Sequence, residues 1–208
     1  WSNNNFDSST IRVKSTVQYV VIYLHGFLSS PQSHKATQTL KYVRANYPNL
    51  TIEIPQLANY PNEAVKNIEL CIAKHKGKKL RFIGSSLGGF LSTYMVEKYS
   101  GKAVLINPAV RPFELLGDFL GEHINPYTEQ PFLLENNHIE ELRQLDTPTL
   151  DPKSDYWVLL QTADETLDYR QAETKYQDYK VTIEQGGDHS FQDFPRFLPD
   201  IFRFLLQD

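Results

Sequence analysis

The sequence predicts an α/β fold, one open six-stranded and mostly parallel sheet with helices on both faces. Three observations lead there. Short runs of β-branched and aromatic residues alternate with longer segments of helical spacing. The strand candidates are apolar throughout, as strands covered on both faces are. Residues capable of polar chemistry cluster just after strand candidates, where an open parallel sheet binds its ligands.

Each element has its own signal. Residues 1–16 are polar, rich in Asn and Ser, and read as an irregular lead-in. They have neither the basic start nor the apolar centre of a signal peptide. Residues 17–24 form the first strand candidate, closed by His25-Gly26. Residues 31–47 have helical spacing, with Ser30 a candidate cap and Pro31 suited to the first helical position. Residues 50–54 are the second strand candidate, stopped by Pro55. Residues 61–74 read as an amphipathic helix through Ala64, Val65, Ile68, Leu70 and Ile72. A strand over 79–83 and a buried helix over 87–99 come next, then a strand over 102–107 closed by Pro108. Strands over 155–161 and 179–184 flank a helix over 169–176. A terminal helix over 195–206 turns Phe197, Ile201, Phe202 and Leu205 inward. Right-handed crossovers leave few arrangements, and the expected strand order is 2-1-3-4-5-6 in one domain spanning 1–208.

Residues 108–154 break the alternation. A connection this long usually has its own structure or a function. It holds Phe113, Leu115, Leu116, Phe119 and Leu120, then Phe132, Leu133 and Leu134, then a charged helix near 135–145. The expectation is a small helical lid over the strand ends, its apolar residues toward a substrate. A packed helical excursion is the plainer alternative.

Composition narrows the function classes. A chain of 208 residues can bury a sizeable core. A net charge of −4 offers nothing to a polyanion, so no nucleic-acid partner is expected. The single cysteine, Cys71, excludes an internal disulfide and suits a reducing compartment. No stretch approaches the roughly 18 apolar residues of a membrane span. His34, His75, His123 and His138 lack paired metal-ligand spacing, so no metal site is expected. The basic run 74–79 precedes a strand and reads as a solvated turn at the far edge of the sheet. Gly-rich phosphate motifs are absent, and no cofactor is expected.

The chemistry gathers at Gly84-Ser85-Ser86-Leu87-Gly88, a G-x-S-x-G sequence between a strand and a helix. A nucleophile there must sit on a strained turn, its hydroxyl pushed out of the sheet edge. Three fixed positions recur by chance, so the strand–turn–helix setting gives the motif its weight. Asp164 follows the fifth strand and His189 follows the sixth. Serine, acid, then histidine is the chain order of an α/β-hydrolase. A serine hydroxyl is too weak an acid to attack unaided. His189 can take its proton and return it to the leaving group. Asp164 would fix the imidazole tautomer, with Glu165, Asp168 and Asp188 as rivals. His25-Gly26-Phe27 supplies an oxyanion loop, the backbone N–H groups of Phe27 and Leu87 being the expected donors. His25 itself is expected to pack under that loop.

Tyr23 to Ser33, Gly84 to Gly89, Asp164 to Tyr169 and Gly186-Gly187-Asp188-His189-Ser190-Phe191 together resemble the YqiA/YcfP group of small bacterial esterases. The resemblance runs from about residue 17 to the C-terminus. It implies a minimal α/β-hydrolase fold, a cytoplasmic setting, and esterase activity with acyl thioesters as further substrates. The family's triad falls on Ser86, Asp164 and His189. One departure is Ala163, where the family pattern has Gly. The resulting expectation is a serine esterase working through an acyl-enzyme on a small acyl ester or thioester. A peptidase on the same fold, or a binding protein that kept the fold without catalysis, are the alternatives. The sequence does not specify an oligomeric state.

Overall fold

The computed structural model describes residues 18–208, so the expectation for residues 1–16 lies outside the described part. The chain forms β1 (Tyr19–Leu24), α1 (His34–Asn46), β2 (Thr51–Glu53), α2 (Pro61–Ala73), β3 (Lys79–Ser85), α3 (Leu87–Tyr99) and β4 (Lys102–Ile106). An insertion follows, with α4 (Pro112–Leu115), a 3-10 turn (Leu116–Phe119), β5 (Gly121–Ile124), β6 (Pro131–Leu134) and α5 (Asn136–Gln144). The chain then returns through β7 (Asp155–Gln161), α6 (Tyr169–Lys175), β8 (Lys180–Glu184), a 3-10 turn (Phe194–Phe197) and α7 (Leu198–Leu205).

The main sheet has the order β2-β1-β3-β4-β7-β8, and every neighbouring pair is parallel. Counting only its own six strands, that is the expected 2-1-3-4-5-6. Side chains of a strand alternate between the two faces, and here both faces are dry. Val20, Ile22 and Leu24 join a core under α2, α3, α6 and the insertion. Tyr19, Val21 and Tyr23 join a second core under α1 and α7. All six residues of β1 are buried, each large side chain contributing about 1.5–3 kcal/mol. The terminal helix buries Leu198, Ile201, Phe202 and Leu205, an i, i+3, i+4, i+7 stripe. Arg81, itself buried, caps that helix by donating to Leu205 O at 2.5 Å and Gln207 O at 3.1 Å.

Three local expectations need correction. The first helix begins at His34, with Ser33 as N-cap. Ser30 instead closes a turn, its Oγ accepting from Gln32 N at 3.0 Å. Leu70, expected on the inner face of α2, is 66% exposed, and Cys71 takes the buried place. The insertion has its helices, and it also has an antiparallel hairpin pairing Gly121 with Leu134 and His123 with Phe132. Phe132 and Leu134 point inward while Pro131 and Leu133 face out. Among the described residues no helix is long and apolar enough to cross a membrane.

Candidate active site

The site forms where β3, β7 and β8 end. Ser86 sits between β3 and α3 at φ 56° and ψ −118°, left-handed backbone for a residue with a Cβ. Such strain persists only where the surroundings impose it. Here Ser86 N donates to Ile106 O at 3.1 Å, and Ser86 O accepts from Gly89 N at 2.9 Å and Ala109 N at 3.0 Å. The elbow's glycines are forced by space. A Cβ on Gly84 would stand 2.3 Å from Gly88 O, and one on Gly88 would stand 1.9 Å from Leu24 O. Ser85, the neighbouring serine, is buried and points to the α1–α7 side.

Ser86 Oγ lies 2.9 Å from His189 Nε2, and His189 Nδ1 lies 2.9 Å from Asp164 Oδ2. The three side chains come from three separate strand ends, 103 and 25 residues apart in sequence. Asp164's side chain is 2% exposed and His189's is 21%. The other Asp164 oxygen accepts from Thr166 N at 2.9 Å and Leu167 N at 2.8 Å, which fixes the carboxylate plane. With Nδ1–H donating to that carboxylate, Nε2 is left to accept from the Ser86 hydroxyl. Ala163 is not among the residues with positive φ, so this loop does not need the glycine of the family pattern.

The rival acids are occupied otherwise. Glu165 Oε2 accepts from His189 N at 2.9 Å, tying the histidine loop by its backbone. Asp168 caps α6, accepting from Arg170 N at 3.0 Å and pairing with its guanidinium. Asp188 bonds Gln192 through one oxygen, and its other oxygen is buried without a partner among the described residues. Cys71 is no rival nucleophile, since burial pushes its thiol up to about 11.

The loop after β1, expected to supply oxyanion donors, lies against the elbow. A Cβ on Gly26 would stand 3.5 Å from Ser86 Cβ and 4.0 Å from Ser86 Oγ. The N–H groups of Phe27 and Leu87 have no acceptor among the described residues. Leu87 is also the first residue of α3, so the positive end of that helix faces the same point. His25 is buried beneath. Its Nδ1 donates to Gly26 O at 2.9 Å and its Nε2 accepts from Leu57 N at 2.9 Å. Burial lowers its pKa and keeps it neutral.

Two buried amides were not foreseen. Asn107 follows β4 with φ 40°, donates to Asp188 O at 2.9 Å and His189 O at 3.1 Å, and accepts from Gln161 N at 3.1 Å. Gln161 ends β7, donating to Gln192 O at 3.0 Å and accepting from Asp188 N at 3.1 Å and Gln192 N at 2.8 Å. Together they bracket the histidine loop. The signal was present: each is a lone polar residue ending an apolar strand run.

Of the six histidines, only His189 reaches the elbow serine. No group of three His, Cys, Asp or Glu side chains that could hold a metal occurs among the described residues. Two cavities flank the His25-Gly26-Phe27 loop. On the α2–α3 side is a narrow apolar slot of about 30 Å³, lined by Phe27, Leu57, Tyr60, Leu87, Leu91 and Leu134 among others. On the α1–α7 side is a polar cavity of about 540 Å³.

The strand order, the serine elbow and the acid and histidine loops after the last two strands define the α/β-hydrolase fold. Within it, the chain belongs to the uncharacterised protein family UPF0227, whose model matches residues 20–206; this is the YqiA/YcfP family that its motifs resemble. Solved structures share the fold at low identity. A putative hydrolase from Agrobacterium vitis S4 superposes with a TM-score of 0.75 at 18% identity, over 91% of this chain and 89% of that one. Est1E from Butyrivibrio proteoclasticus gives 0.69 at 14%, over 90% and 87%. A structure from work on LipS and LipT, two metagenome-derived lipolytic enzymes, gives 0.66 at 16%, over 92% and 94%.

Proposed function

We propose that this protein is a serine hydrolase of carboxylic esters, with Ser86 as nucleophile, His189 as general base and acid, and Asp164 as the residue orienting it. The observation behind this reading is the unbroken line Asp164–His189–Ser86, at 2.9 Å for each contact, ending on a strained serine. His189 takes the Ser86 proton as Oγ attacks the acyl carbon, and the Phe27 and Leu87 N–H groups receive the charge that develops on the carbonyl oxygen. The leaving alcohol takes the proton from His189. Water then enters along the same path, gives its proton to His189 and releases the acid, restoring Ser86. The lipolytic fold neighbours agree with ester chemistry.

The apolar slot beside Phe27 and Leu87 suits the acyl chain. At about 30 Å³ it favours chains of a few carbons, because a longer chain must displace Leu116, Leu134 or Leu142 from the insertion. The test is a panel of esters and CoA thioesters, acetyl to decanoyl, with wild type and Ser86→Ala. The expected outcome is ester turnover with kcat/KM highest for short acyl groups, and none above background in Ser86→Ala. Absence of turnover across the panel, or full activity in Ser86→Ala, would overturn the reading.

A further inference from the structure

An ester has two arms, and the two cavities differ in chemistry. Gly26 lines both, so the oxyanion loop is the wall between them. The leaving oxygen must lie beside His189 Nε2 to collect its proton. Ser190, Phe191 and Gln192, the residues directly after His189, line the polar cavity and not the apolar slot. An acyl chain in the slot therefore directs the alcohol arm to the opposite face of the sheet edge.

That cavity has unused hydrogen-bonding capacity of both signs. Lys35 Nζ donates to Ser190 O at 2.9 Å, its one hydrogen bond among the described residues, and an ammonium has three donors. Burial lowers the Lys35 pKa, and nearby Asp188 opposes the shift. About one turn further along α1, Gln38 Oε1 is buried with no partner among the described residues, a costly state until something donates to it. Ser29, Ser33 and Tyr127 add hydroxyls along the wall. A hydroxyl group both accepts from Lys35 and donates to Gln38. A phosphate or carboxylate only accepts, so it leaves Gln38 unpaired, and it would share the cavity with the carboxylate of Asp193. An alkyl group leaves Gln38 unpaired.

We propose that the polar cavity is the leaving-group subsite, and that it takes a neutral polyol, a glycerol- or sugar-like alcohol esterified to the acyl group held across the oxyanion loop. The proposal rests on the serine-hydrolase reading above. In the first step the Ser86 Oγ–carbonyl bond forms, the ester C–O bond breaks, and the polyol leaves with the proton relayed by His189.

The test holds the acyl group constant. Glycerol 1-monobutyrate and n-propyl butyrate differ only in two hydroxyls, and both give the same butyryl-enzyme. Wild type is expected to favour the glycerol ester by about tenfold or more in kcat/KM, since a site built to bond hydroxyls discriminates against their loss. Gln38→Leu and Lys35→Met should each bring that ratio close to one. A general disturbance of the histidine loop lowers both esters together and leaves the ratio unmoved. An equal rate on the two esters in wild type, or a ratio unaltered in both variants, overturns the proposal. So does a loss in Lys35→Met confined to butyryl-CoA, which would mark an anionic leaving group instead. If wild type cleaves no butyrate at all, the serine-hydrolase reading has failed and the subsite is judged by binding. The non-hydrolysable ether 1-O-butylglycerol is then titrated into ¹⁵N-labelled protein. Saturable shifts at the Ser33, Lys35 and Gln38 amides, lost in Gln38→Leu, support a polyol site; no shifts there overturn it.

Discussion

Asp164 and Asp168 stand four residues apart and meet different needs. Asp164 is held by two backbone N–H groups and faces His189. Asp168 serves the first turn of α6. Asp164→Asn should therefore lower kcat by at least about 10²-fold, by leaving the wrong tautomer, and Asp168→Asn by less than about 10-fold. Steady-state kinetics on the two variants decide between them, and a crippled Asp168→Asn beside a healthy Asp164→Asn contradicts this assignment. Below the site, His25 sets a pH limit. It accepts from Leu57 N, so protonating Nε2 would turn an acceptor into a donor facing a donor. Its folded pKa lies below the unfolded value of about 6.5, so its contribution is present above that pH and is lost as pH falls below it. Urea midpoints should show wild type exceeding His25→Gln by a margin that shrinks from pH 8 to pH 5. A margin independent of pH would count against a buried neutral His25.

At the level of elements, much was legible, and the failures have local causes. The strand runs of β1, β4 and β7 are continuous apolar segments bounded by Gly, Pro or polar residues, so their type and place could be read directly. The α1 start was misread because Ser30-Pro31 fits a helix start, while the Ser30 hydroxyl found Gln32 nearby. The β5–β6 hairpin was hidden because each strand has four residues, one starting with Gly and the other with Pro. Its loop has no Asn-Gly turn; the Asn125 side chain makes the turn by accepting from Tyr127 N at 2.8 Å. Asn125 also donates to Ser29 O at 3.2 Å, joining the hairpin to the loop after β1. Phe27 packs edge-on against Phe119 and Phe132, with ring centroids 6.2 and 6.0 Å apart. The hairpin thus roofs the slot beside Phe27. Leu134→Ala, which removes part of that roof, should shift the best ester toward longer acyl chains. It should also cost about 2–5 kcal/mol of stability, so the chain-length profile is taken well below the unfolding transition. An unchanged profile would mean the insertion does not bound the acyl site.

Across the whole molecule, strand order was readable because alternation and crossover handedness leave few choices. Which faces held which cavities was not readable. That depends on side chains from α1, the insertion and the histidine loop converging from segments far apart in sequence, as Lys35 and Ser190 do across 155 residues. The sequence marks Asn107 and Gln161 as polar strand ends but not the bracket they form, whose partners are backbone atoms of a distant loop. In the proposed function the fold as a whole serves one event, the attack of one serine among many on an acyl carbon. The most direct measurement is reaction of the intact protein with a fluorophosphonate, followed by peptide mapping of the adduct by mass spectrometry. One adduct per chain is expected, on Ser86, and it should be lost in His189→Ala. An adduct on Ser85 or another serine, or no adduct at all, would contradict the account.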